Sequence, residues 1–133
     1  MRRAFFAIAA SAALISVAPA WAHHSHAMYD SSGEIVLEGV ITEVRWANPH
    51  VWLYFDVAGE GGEARTWALE GAAIGQLQNS GWEQEMLNEG DQVTISCYPL
   101  RSGGPGCLGG YILTLNGEEL PPTHGDHAGR AFD

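Results

Sequence analysis

Three of the six histidines stand together at His23-His24-Ser25-His26. They directly follow Ala20-Trp21-Ala22, which carries the small residues a signal peptidase requires. Cleavage after Ala22 would make His23 the first residue, offering its α-amine and its ring Nδ1 to a single metal ion. That chelate favours Cu(II), the tightest binder among divalent first-row ions. One further imidazole, His50 or His24, would complete a histidine-brace-like site. The amine has a reference pKa of about 8, so the metal must displace its proton and affinity should weaken in acid. His24 also offers a local chelate through the intervening amide, whereas Ser25 in third position excludes a third-position-histidine copper motif. The alternative for such a leader is opportunistic metal capture, and the segment from Thr123 to His127, with His124 and His127, is of that kind.

A second constellation follows from strand pairing. His50 to Val57, HVWLYFDV, alternates strictly, with Val51, Leu53, Phe55 and Val57 on one face and His50, Trp52, Tyr54 and Asp56 on the other. A glycine-rich loop, Gly59 to Gly62, leads into Ala64 to Glu70, ARTWALE. A hairpin centred near Glu60 would pair Val51 with Leu69 and Leu53 with Trp67 on the core face. On the other face it would pair Trp52 with Ala68, Tyr54 with Thr66, and His50 with Glu70. His50 and Glu70 would then sit at one barrel end, as metal ligands, as an orienting hydrogen-bonded pair, or as acid and base. The plainer alternative is a strand-end hydrogen bond that satisfies two polar side chains.

Cys97 and Cys107 are the only two cysteines. In an exported domain an even count favours a disulfide, with a thiolate metal site as the alternative in a reducing setting or with a bound soft metal. Trp46, Trp52, Trp67 and Trp82 read as packing residues, although Trp52 and Tyr54 on the non-core face could stack on a partner. The chain contains no nucleophile triad, phosphate-binding glycine loop or paired zinc-ligand motif, so the reading leans away from an enzyme.

Arg2 and Arg3 with the apolar run Ala4 to Val17 mark residues 1–22 as an expected signal peptide. That run is too short for a comfortable membrane span, so the product is expected to be periplasmic or secreted, with no membrane span after processing. Roughly 111 of the 133 residues would remain, one domain with a modest core. All 16 acids lie beyond the cut and there is no lysine, so the formal charge of −10 becomes more negative on processing. Such a surface repels nucleic-acid backbones and anionic lipid and tolerates or attracts cations; the alternative is that acidity serves solubility alone.

Residues 23–33 form a histidine-containing leader without periodicity. Within residues 34–120, a long first strand over Glu34 to Trp46, bent or bulged near Gly39, is broken at Asn48-Pro49. Strands over 50–57 and 64–70 follow, then a short helix within Gly71 to Ser80, and strands over Gln92 to Tyr98 and Tyr111 to Leu115. Three strands, a helix and two strands predict an all-β, five-stranded OB-like β-barrel, with an open β-sandwich as the alternative. Residues 121–133 hold too few apolar side chains to fold and are expected to form a flexible tail.

These residues resemble a family of small exported bacterial proteins grouped as a domain of unknown function. The resemblance is carried by His23-His24-Ser25, Tyr29-Asp30, the Leu37 to Val44 strand, Trp46-Ala47-Asn48-Pro49-His50, Trp67 to Glu70, Gly81-Trp82 and Gly90 to Thr94. It implies a compact β-barrel, and the strand pattern is similar to the bacterial OB-fold family of periplasmic proteins. It implies no activity or ligand, and the cysteine pair and the His124 to His127 segment lie outside it.

Function is therefore expected from the residues themselves. The first expectation is a periplasmic transition-metal-binding protein, copper above all, using His23, His24, His50 and Glu70. The second is a metal-independent module that binds an envelope protein or small ligand through Trp52 and Tyr54. A copper-dependent oxidase or oxygenase ranks third.

Overall fold

A computed structural model describes residues 26–122 and 129–133. Five strands close into a barrel: β1 (Ile35–Arg45), β2 (Trp52–Ala58), β3 (Ala64–Glu70), β4 (Gln92–Pro99) and β5 (Gly106–Leu115). Antiparallel pairing runs in the order β3-β2-β1-β4-β5, and β5 returns to pair in parallel with β3 through Ala68–Gly106, Leu69–Cys107 and Glu70–Leu108. A short helix, α1 (Ile74–Asn79), lies between the third and fourth strands. This is the OB-like order that the pattern of strands and helix predicted, and closure excludes the open sandwich. Among the described residues no helix is long and apolar enough to cross a membrane.

Alternation positions the core. Leu53 and Phe55 of β2, Leu69 of β3, Val93, Ile95 and Cys97 of β4 and Ile112 of β5 are all buried to 1% exposure or less. β1 can curl around this core because Gly39 lets β2 approach: a Cβ there would lie 2.5 Å from the Asp56 carbonyl oxygen. The irregularity expected near Gly39 falls slightly later, where the β1–β2 register shifts between Ile41 and Glu43.

Three expectations are corrected. The β2–β3 hairpin pairs Trp52 with Glu70, Leu53 with Leu69 and Tyr54 with Ala68, two residues away from the predicted register. The loop is centred one residue later than assumed, with the Gly59 amide donating to the Glu63 carbonyl, and a slip of two leaves every face unchanged. β5 starts at Gly106 rather than Tyr111, because its first residues form the parallel joint with β3. The end of the chain folds where a tail was expected: β7 (Arg130–Ala131) pairs with β5, which also pairs with β6 (Glu118–Glu119), and Phe132 is completely buried. Residues 123–128, including His124 and His127, lie outside the described residues.

Candidate functional site

The connection from β1 to β2 is fastened to the segment between β3 and α1. The Val51 amide donates to the Ala72 carbonyl and the Gly71 amide to the Val51 carbonyl, at 2.9 and 2.8 Å. The Asn48 side-chain oxygen accepts the Ile74 amide at 3.0 Å, which satisfies one of the orphan donors at the start of α1. The Asn48–Pro49 peptide is cis. The bonds of Val51 to Ala72 and Gly71 hold the neighbouring His50 beside Glu70, the last residue of β3.

Its imidazole has a defined orientation. Nδ1 lies 3.0 Å from the Gly71 carbonyl oxygen, which can only accept, so Nδ1 carries a hydrogen and, in the neutral ring, Nε2 is the nitrogen with the lone pair. Glu70 Oε1 is 3.5 Å from the same Nδ1, while the His50 side chain remains 37% exposed. The pairing expected between these residues is present, although it arises from the chain entering β2 and not from a facing position in the ladder.

The other oxygen of Glu70 belongs to the leader. Tyr29, 4% exposed, donates its hydroxyl to Glu70 Oε2 at 2.7 Å. Burial foremost, then the hydrogen bond to Glu70 and its negative charge, hold the Tyr29 phenol protonated well above its ordinary value of 10.0. Tyr29 sits where it does because a 3-10 turn, His26–Met28, precedes it and the backbone then runs along the loop after β4. The Asp30 amide donates to the Pro99 carbonyl at 2.8 Å and the Arg101 amide to the Met28 carbonyl at 2.9 Å. Cys97 and Cys107 form a disulfide at the base of that loop, so the thiolate metal site is excluded.

These elements enclose a pocket of about 430 Å³ whose lining includes His26, Tyr29, His50, Glu70, Tyr98 and Asp133, a size that suits an ion or a small ligand. Tyr98 is also held protonated, first by its hydrogen bond to Glu34 and then by desolvation. Glu34 additionally accepts a hydrogen bond from the Ser96 hydroxyl. Among the described residues, no three His, Cys, Asp or Glu side chains converge as a metal-ligand cluster. His23 and His24 lie outside the described residues, so of the four expected metal ligands the structure brings together His50 and Glu70.

Trp52 and Tyr54 stack on the outer face of β2, ring centroids 6.4 Å apart and planes 19° from parallel. Arg45 from β1 lies over the Tyr54 ring at 5.4 Å. Sequence reasoning missed His26 and Tyr29 as pocket residues. The leader lacks periodicity, and the one signal at Tyr29 was the Tyr29-Asp30 part of the resemblance.

A family described as a family of unknown function (DUF6152) matches residues 11–109. No curated protein and no solved structure matches the chain.

Proposed function

Since the chain belongs to that family of unknown function, we propose its role from its own side chains: an exported protein that binds a first-row transition metal, copper above all, at the His50 pocket. The observation that carries this is the imidazole itself. Its Nδ1 is engaged by the Gly71 carbonyl with Glu70 alongside, leaving Nε2 as the donor on a half-exposed side chain. A carbonyl or carboxylate behind the far nitrogen is how a metal-binding histidine is oriented and made more basic. In this reading Glu70 orients His50, because its two oxygens already face Tyr29 and His50.

The remaining donors come from the leader. His26 lines the pocket, and His23 and His24 precede it in the sequence by three and two residues. Processing after Ala22 would free the His23 amine, and His24 supplies a further imidazole. The acidic composition favours cations, and the disulfide suits an oxidising compartment such as the periplasm.

Titration calorimetry with Cu(II) tests this on chain beginning at His23, on the same chain with one extra N-terminal residue, and on His50→Ala. Both changes should weaken binding. Equal affinity for the extended chain would remove the N-terminal chelate, and equal affinity for His50→Ala would remove the pocket.

The Trp52–Tyr54 stack with Arg45 supports a second reading, a platform for a flat or apolar partner. Under it, Trp52→Ala abolishes partner capture and His50→Ala leaves it intact.

A further inference from the structure

We infer that Tyr29 is a positioning residue that couples the docked leader to the His50 imidazole, with Glu70 as their shared partner. This deepens the metal-binding reading and rests on it for the identity of what is positioned. One carboxylate serves two clients: Oε2 accepts the Tyr29 hydroxyl at 2.7 Å, and Oε1 lies 3.5 Å from His50 Nδ1. Glu70 is 5% exposed, so water offers little substitute for either partner, and a change at one oxygen is felt at the other.

The hydroxyl is separable from the docking of the leader. The backbone bonds Asp30 to Pro99 and Met28 to Arg101, with the bridge between Tyr29 and Leu100, hold the leader without it. What the hydroxyl adds is the orientation of the carboxylate. It thereby sets the balance at His50 Nδ1 between Glu70 and the Gly71 carbonyl, and with it the direction in which Nε2 is presented. His26 and His50, which both line the pocket, are then held in one arrangement before any ion arrives, which lowers the ordering cost of binding.

The test uses full processed chain, metal-free, with nitrogen NMR of the His50 ring in wild type, Tyr29→Phe, Glu70→Gln and the double variant. Tyr29→Phe should move the His50 ring-nitrogen shifts in the wild-type background and leave them unmoved in the Glu70→Gln background, since the carboxylate carries the effect. No movement in the wild-type background, or the same movement in both, overturns the coupling. Should Tyr29→Phe fail to fold, His50→Ala decides from the other side: a moved carbon shift at the hydroxyl-bearing ring carbon of Tyr29 supports the link through Glu70, and an unmoved one overturns it. With Cu(II), Tyr29→Phe should bind about tenfold more weakly; unchanged binding would overturn the coupling while leaving the metal reading intact. Wild type that binds no copper would remove the metal reading and leave the metal-free NMR result standing on its own.

Discussion

Phe132 meets Trp82 edge to face, with ring centroids 5.8 Å apart and planes at 83°. Both rings are fully buried, and the Trp82 indole donates to the Ala131 carbonyl at 2.6 Å. The guanidinium of Arg130 covers the same indole at 5.1 Å. The last residues are thus a structural plug for the barrel end that carries the pocket. Phe132→Ala should cost about 3–5 kcal/mol, the usual loss for a buried aromatic, measured as a shift in urea midpoint with unchanged slope.

Gly71 links that plug to the pocket. A Cβ at this position would lie 2.5 Å from the Phe132 ring, while the Gly71 carbonyl holds His50. Gly71→Ala should destabilise by about 1–3 kcal/mol through overpacking and alter the His50 ring-nitrogen shifts. A stability loss with an unaltered ring would separate the two effects.

The disulfide spans ten residues of sequence and both cysteines are completely buried. Replacing both by alanine should lose about 2.5–3 kcal/mol on the loop-entropy account. Because the closed loop carries the acceptor for Asp30 and the donor for Met28, faster amide exchange at Asp30 and Arg101 should accompany the loss.

Alkali should weaken the fold through Tyr29. Its phenol is held protonated above the ordinary value of 10.0 in the folded chain. The unfolded chain therefore gives up this proton first, and stability declines as pH rises past about 10. Below that the contribution is complete. Urea midpoints on metal-free protein across this range should fall in wild type and fall less steeply in Tyr29→Phe. Asp30 acts with the opposite sign: the Ser32 hydroxyl and amide lower its pKa, so its small contribution is lost as pH falls through the carboxylate range.

Which parts were legible follows from what periodicity can encode. The faces of β2 and β3 were readable because alternation separates Leu53 and Phe55 from Trp52 and Tyr54. Their register was not, since pairing Glu70 with His50 or with Trp52 preserves the same faces, and only the turn geometry at Gly59 to Glu63 decides between them. His50 still reaches Glu70 because Val51 is bonded to Gly71 and Ala72, contacts that no strand pattern announces. Phe132 eluded a compositional reading because one aromatic among polar residues is enough to dock a chain end when a cavity waits for it. Tyr29 eluded it for a related reason: its partners, Leu100 through a backbone bridge and Glu70 through a hydrogen bond, lie far along the chain, and its neighbours repeat with no period.

The lining of the pocket is drawn from the leader, the β1–β2 connection, the end of β3 and the segment after it, α1, β4, β5 and Asp133. Anything lodged there would act as a rivet, adding one more tie among segments already joined by the Tyr29–Glu70 bond and the backbone bonds of Val51, Gly71 and Ala72. Occupancy should therefore raise the melting temperature of the entire molecule in proportion to the logarithm of ligand concentration, so the first sign of the natural ligand would be heat resistance.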